Sequence, residues 1–397
     1  MMRMRDNLVS RRATFCEALF CLALVAVFLP VKIYPFVFLL ALLGYFWDTP
    51  VLLRHYWVWS LGVFTGYASL VFLINLPEDG REATNFLKLP INFCYLYFAV
   101  GWLAQRDNTR LLRWVDMTLH IVLGLTLLQL LLYHQMAGFR WLGGAPSSAH
   151  GSALYQASHY FWGLDDKNMF GARIALLGFV YVLLPVVQKQ KLVWWRIVLV
   201  WGLAWLSLSR TPMVALLLGI FCVLWAGTTV RWRVALGALA LLAIPFVAEK
   251  VVRVDTLLAS NDGMGVRLVY WKAFFQHFTT ISPLGNGFMS GGDFLGRYAD
   301  FYHGEPHIHN TFFNCYLDFG IIGLASYALF LFYFYRFCLE KRKDQGFWWV
   351  AFLPLLAILL ILYSGYDNDI VLYLMLVFLL GSSYPMGVER FRWRIGS

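Results

Sequence analysis

The chain has 397 residues, of which 60% are hydrophobic and only 14% charged, where soluble domains carry roughly 25% charged residues. That balance excludes an ordinary soluble enzyme and points to an all-α fold, a polytopic transmembrane helical bundle ordered by the bilayer. The net charge of +10 could suggest nucleic acid, but the basic residues are scattered between apolar runs rather than gathered on one face, so they read as a topology signal and no nucleic acid is expected.

Arg3, Arg5, Arg11 and Arg12 precede an apolar run from about Phe15 to Val31. Charge followed by apolar residues resembles a signal peptide. The run is long, however, no small-residue cleavage site follows, and another span begins almost at once, so an uncleaved first helix is expected. The twelve expected spans lie at roughly 15–31, 33–47, 56–76, 90–104, 114–133, 168–187, 192–208, 212–227, 234–249, 311–335, 347–363 and 370–386. Pro30-Val31-Lys32 would turn the first pair and Ser209-Arg210-Thr211-Pro212 the seventh and eighth, because proline lacks a helix donor.

An even count puts both termini on one side. The short connections on that side hold most of the lysines and arginines, so the positive-inside rule places both termini in the cytoplasm. The whole of 1–397 then reads as one integral membrane domain. Its outer face carries the long connections 77–89, 134–167 and 250–310, and diverse loops on a helical scaffold are where function concentrates. No ATP-binding signature or other phosphate-cradling glycine loop is present. The six cysteines, Cys16, Cys21, Cys94, Cys222, Cys315 and Cys338, all fall in apolar runs and read as packing residues.

Three outer clusters carry candidate chemistry. Arg210 lies between two strongly apolar helices; it is either a snorkelling loop residue or an anion ligand, for which the guanidinium fork is suited. Arg267 opens an amphipathic stretch, 267–278, that reads as a helix along the membrane surface, either a plain anchor or part of a site. That stretch runs into a Gly/Pro turn at Ser282-Pro283-Leu284-Gly285-Asn286-Gly287. In Glu305-Pro306-His307-Ile308-His309-Asn310, with His303 just ahead, the spacing does not suit a catalytic zinc set. A histidine there can serve as a general base, or the His309-Asn310 pair can cap the following helix. Two arginines and a histidine on one face suit a lipid-borne pyrophosphate and activation of a hydroxyl.

At these residues the chain resembles the O-antigen ligase and polymerase superfamily of bacterial envelope glycan assembly. His309-Asn310 is followed by nine residues and then Gly320-Ile321-Ile322-Gly323, which is similar to the family's ligase pattern. Leu208-Ser209-Arg210 resembles its arginine at a helix junction, and Gly265-Val266-Arg267-Leu268 with Ser282-Pro283-Leu284-Gly285 resembles its periplasmic arginine segment. Val214 departs from the leucine that some ligases carry four residues after the first arginine.

The resemblance implies transfer of a glycan from an undecaprenyl diphosphate donor to a hydroxyl of the lipid A core, on the periplasmic side of the bacterial inner membrane, without metal, nucleotide or other cofactor. Joining lipid-linked repeats, as a polymerase does, is the alternative within the superfamily. By the same resemblance Arg210 and Arg267 hold the diphosphate, His309 takes the acceptor's proton with inversion at the anomeric carbon, and His307 and Asn310 contact substrate. Asp165-Asp166-Lys167-Asn168 and Arg173 match an Asp/Asn patch of the family; Asp166, Lys167, Asn168 and Arg173 are read either as glycan or acceptor contacts or as a helix start favoured by its dipole. A transporter or flippase is the reading outside this class, although no internal repeat or broken midplane helix pair is visible.

Overall fold

The computed structural model describes residues 2–29, 31–48, 54–76, 80–136, 167–189, 191–247, 264–339, 345–362, 365–383 and 394–395. Among them are fourteen helices: α1 (Met2–Ala26), α2 (Tyr34–Asp48), α3 (Tyr56–Ile74), α4 (Gly80–Leu103), α5 (Thr109–Met136), α6 (Lys167–Lys189), α7 (Trp194–Leu206), α8 (Arg210–Gly227), α9 (Val230–Val247), α10 (Met264–Gln276), α11 (Gly291–Tyr298), α12 (Thr311–Leu339), α13 (Gln345–Ile361) and α14 (Asn368–Ser383). Two short strands, β1 (Lys191–Leu192) and β2 (Arg394–Ile395), pair in parallel. The twelve apolar runs each fall on a helix, and α10 and α11 occupy the connection between α9 and α12. Six helices are long and apolar enough on their own to cross a membrane: α3, α4, α5, α6, α8 and α12. Four more, α2, α7, α13 and α14, are shorter apolar helices.

Helix α6 is apolar on every side and sits at the centre, its spanning segment buried throughout, as expected of a helix without a polar face. It packs against α5, α7, α8, α13 and α14. Gly178 allows the closest approach, since a Cβ there would stand 2.4 Å from the Val200 side chain of α7.

Two boundaries differ from the sequence expectation. Helix α1 ends at Ala26 rather than near 31, with the Phe28 and Leu29 amides bonding back to Val25 and Ala26 in a closing turn. Helix α4 begins at Gly80 rather than 90, so much of the expected 77–89 connection is helix and Pro90 lies inside it. Phe86, Leu89 and Phe93 fall on one buried face across the proline, and Phe86 stacks on Phe72 of α3 with ring centroids 4.1 Å apart. Burial of that face carries the helix through a residue that taken locally marks a break.

The polar contacts sort to two ends of the bundle. At one end Glu17 pairs with Arg106 and Arg110, each at 2.6 Å, Trp102 donates to Asp48 at 2.9 Å, Asn108 to Ser382 at 3.0 Å, and Arg196 pairs with Asp116. The β1–β2 ladder sets Arg394 beside Lys191 there. At the other end Arg173 pairs with Asp369 at 2.8 Å, Asn92 donates to the Tyr366 carbonyl at 3.0 Å, and a His134 ring nitrogen bonds the Leu206 carbonyl at 2.7 Å. Among the helices that carry these contacts, α1 and α2, α4 and α5, α5 and α6, and α6 and α7 therefore run in opposite directions.

Candidate active site

The site is built around a break in α12. Gly320 has φ 63° and ψ −162° inside an otherwise helical run, a conformation open essentially to glycine alone. The Ser282–Gly287 turn docks into the gap. The Ile321 amide donates to the Pro283 carbonyl at 2.9 Å, the Asn286 amide to Leu317 at 2.9 Å and the Gly287 amide to Asp318 at 3.1 Å. These bonds satisfy helix groups that a break would orphan. Tyr67 of α3 fastens the turn through a 2.8 Å hydrogen bond to the Leu284 carbonyl. Two motifs that look separate in the sequence thus form one joint.

Asn310 is the cap of α12. Its Oδ1 accepts from the Phe312 and Phe313 amides at 3.0 and 3.1 Å, while its Nδ2 donates to the Leu360 carbonyl at 3.0 Å. The capping role open to the His309-Asn310 pair therefore falls to Asn310. Asn310→Ala is expected to lower stability by about 1 kcal/mol with the rate per folded molecule kept. A thermal melt and a turnover assay on the same preparation check this; unchanged stability with lost turnover would instead put Asn310 on substrate.

His309 precedes the cap with φ 58°, an uncommon left-handed conformation for a side chain of this size. Such strain persists where the surroundings enforce it, often at functional sites. Its ring lies parallel to that of Tyr270, centroids 6.0 Å apart and 3° between planes. The Tyr270 hydroxyl donates to the Glu305 carboxylate and accepts from the His303 amide at 3.3 Å. Arg267 stands one turn before Tyr270 on α10, buried with it. Burial, then the Arg267 charge, push the His309 pKa down to about 4, with Glu305 opposing. Burial, then His309, push His307 down to about 3. Both rings are neutral near pH 7, and Nδ1 of His309 is buried with no hydrogen-bond partner among the described residues.

Helix α10 is more than a surface anchor. Val266, Tyr270 and Phe274 pack with Phe294, Ile308 and Leu317 in one cluster, so α11 and α12 cover the face that carries Arg267. Lys272 and Phe275 face outward instead.

A cavity of about 270 Å³ adjoins the histidine segment, with Lys88, Arg173, His307, Asp318, Asp367 and Asp369 among its walls. Arg210, Arg267 and His309 are not among them. Asp318 accepts from the Ser290 amide and hydroxyl, both at 3.2 Å, and from Asn314 at 3.0 Å; Asn314 in turn accepts from the Ile308 amide at 3.4 Å. That chain ties the cavity wall to the histidine segment. Asp367, in the connection before α14, is pushed up to about 7 by burial and then by Asp369, with Lys88 and Arg173 opposing.

Arg173 is buried in its ion pair with Asp369 and also donates to the Val27 carbonyl. Asn168 accepts from the Ser209 hydroxyl at 2.7 Å, which sets the start of α6 against the junction carrying Arg210. Arg210 opens α8 after an extended Ser209, with Pro212 in the first turn, where its missing donor costs nothing. Lys167 is the first residue of α6, and Asp166 lies outside the described residues. Among the described residues no three His, Cys, Asp or Glu side chains gather as metal ligands would.

The sequence reading did not single out Tyr270, Glu305, Lys88, Asp318, Asp367 or Asp369. Lys88 and Asp318 carried a usable signal, since each is an ionisable group within an apolar run. Tyr270 and Glu305 are ordinary residues until the fold pairs them.

Comparison with protein families matches residues 195–328 to the family described as O-antigen ligase. No curated protein matches the chain. The matched stretch contains Arg210, Arg267, His307, His309, Asn310 and the break at Gly320, and leaves out 166–173 and the Asp367–Asp369 segment. With its apolar helices the chain is a multi-pass membrane protein, and its stretch 195–328 is similar to the O-antigen ligase family.

Proposed function

We propose that this protein transfers a glycan from undecaprenyl diphosphate to a hydroxyl of the lipid A core, at the periplasmic face of the bacterial inner membrane. The observation that carries the reading is the neutral, strained His309 beside the buried Arg267, both within the stretch matched to the O-antigen ligase family. The acceptor oxygen forms its bond to the anomeric carbon as the bond from that carbon to the diphosphate oxygen breaks. The electron pair leaves with undecaprenyl diphosphate, whose charge Arg267 and Arg210 stabilise. The proton passes from the acceptor hydroxyl to His309, and attack opposite the leaving group inverts the centre. The two arginines supply the positive charge, so the step needs no metal or nucleotide. The adjoining cavity, with its carboxylates and amides, suits sugar hydroxyls.

A bound diphosphate would also offset the Arg267 charge and raise the His309 pKa, strengthening the base when it is needed. Arg210→Ala and Arg267→Ala are each expected to slow donor use by about tenfold to a hundredfold, the worth of one hydrogen bond to a charged group. Lysine at either position should restore part of the rate, because it keeps charge and loses the fork. Steady-state assays on purified protein with lipid-linked donor check this, and full activity in an alanine variant would remove that arginine from the site.

Joining lipid-linked repeats is the second reading, favoured by Val214 in place of the leucine of some ligases. The lipopolysaccharide of a strain lacking the protein separates the two. Loss of all long chains, with free polymer left on the carrier, supports the ligase; core bearing a single repeat supports the polymerase.

A further inference from the structure

The end of the bundle opposite the candidate site holds two adjoining hollows. One, of about 470 Å³, is lined by Arg113, Asp116 and His120 of α5, Lys189 of α6 and Ser383, the last residue of α14. The first residues of that same helix, Asn368 and Asp369, line the candidate-site cavity, so α14 separates the two places by its length. The other hollow, of about 400 Å³, shares Lys189 and adds Lys191, Trp194, Trp195 and Arg196. Both volumes fall within the roughly 300–1,000 Å³ of ordinary ligand pockets.

The charge in these hollows is unbalanced. Asp116 is the carboxylate in their walls, and it is held by Arg196, with the second guanidinium contact at 3.0 Å. Among the described residues none of Arg113, Lys189 and Lys191 has a carboxylate within ion-pair range. The apolar surroundings are those of a membrane interface. Trp194 and Trp195 are 42% and 49% exposed, and Met117 and Ile121 of the wall are also exposed. Amphipathic tryptophans sit at headgroup level, and exposed aliphatic side chains below them face acyl chains.

From this geometry we infer a binding site for an anionic phospholipid between α5, α6 and α7, with the phosphodiester held by Arg113, Lys189 and Lys191 and the acyl chains laid on Met117 and Ile121. Basic hollows between membrane helices hold anionic headgroups in this way. A topology signal alone would need charge and no hollow. Arg54, Arg231 and Arg336 carry the same charge in connections and helix ends of the same end of the bundle, and they line neither hollow. The site is independent of the transfer reaction proposed above.

Native mass spectrometry of the full-length protein, released from nanodiscs holding equal phosphatidylglycerol and phosphatidylcholine, tests it. The parent is expected to retain phosphatidylglycerol several-fold over phosphatidylcholine. The combined Arg113→Gln, Lys189→Gln, Lys191→Gln variant should lose that preference while its melting temperature in phosphatidylcholine stays that of the parent. The combined Arg54→Gln, Arg231→Gln, Arg336→Gln variant, with the same charge change, should keep it. Lys189→Gln alone, at the residue shared by both hollows, should reduce the preference and serves if the triple variant folds poorly. The inference is overturned if the parent shows no preference, if the first variant or Lys189→Gln keeps it in full, or if the control variant loses it equally. It is also overturned if millimolar inorganic phosphate displaces the retained lipid, since the site would then be one for free phosphate.

Discussion

Replacing His309 by glutamine is expected to lower the single-turnover transfer rate at saturating donor by about a hundredfold or more, the usual contribution of a positioned general base. Glutamine keeps polarity and much of the size but cannot take the acceptor's proton. The cap of α12 belongs to Asn310, so His309→Gln should leave expression, melting temperature and donor binding close to the parent's. His307→Ala should cost less, because His307 faces the adjoining cavity rather than the Arg267 side. The pH profile adds a second test. The folded pKa of His309 lies near 4, below the roughly 6.5 of an unperturbed histidine. The acid limb of kcat/KM, which reports the free enzyme, should therefore fall below pH 6.5, toward 4. The same shift means that neutral His309 favours the folded state, a contribution complete above about pH 6.5 and lost as pH falls toward the folded value. A His309→Gln variant with nearly the parent's rate would show that the residue only orients a substrate.

Gly320→Ala is expected to destabilise the protein by on the order of 4 kcal/mol, among the largest effects of a single substitution. An added Cβ would lie 2.1 Å from the Pro283 carbonyl oxygen and 2.6 Å from the Gly285 nitrogen. Both are backbone atoms, so no side chain can swing away, and the φ of 63° adds strain of about 1–3 kcal/mol for any non-glycine residue. The joint between α12 and the Ser282–Gly287 turn should open, and the histidine and arginine segments lose their common support. Gly66→Ala is the control: nothing lies within 4 Å of its added Cβ, and alanine in an open helical position is neutral or stabilising by up to about 1 kcal/mol. Thermal unfolding in detergent compares the two. Equal melting temperatures for Gly320→Ala and the parent would mean that the break is not a fixed element of the fold.

The helices were legible because apolar runs of spanning length have few alternatives, and the sequence reading placed a helix on each of its twelve runs. The errors lie where a local signal lost to packing. The fourth span was expected to begin near 90, yet Phe86 and Leu89 bury on the face shared with Phe93 and carry α4 ten residues further. The stretch that Arg267 opens was read as either a plain surface anchor or part of a site, and the packing of α11 and α12 on α10 goes against the plain anchor. Within the candidate site, the motif residues Arg267 and His309 could be named in advance and do come close enough for the arginine to depress the histidine. Arg210 was equally legible as a residue, and it stands at the α7–α8 junction, where its neighbour Ser209 bonds Asn168. What could not be read was pairing across long stretches of chain. Arg173 meets Asp369 across 196 positions, and Tyr270 meets Glu305 across 35; no local pattern marks either pair. The glycines of the ligase-like pattern were visible as a spacing, and only the break at Gly320 shows what the first of them is for.

The central claim is transfer from a lipid-linked diphosphate by side chains alone. It is tested most directly with the purified protein in liposomes, a labelled undecaprenyl diphosphate glycan, lipid A core as acceptor, and excess chelator. The account predicts labelled lipopolysaccharide with an inverted anomeric linkage, one undecaprenyl diphosphate released per glycan transferred, and the same rate with and without chelator. Labelled donor that crosses the bilayer without transfer, or transfer that stops in chelator and returns with a specific divalent metal, would contradict it.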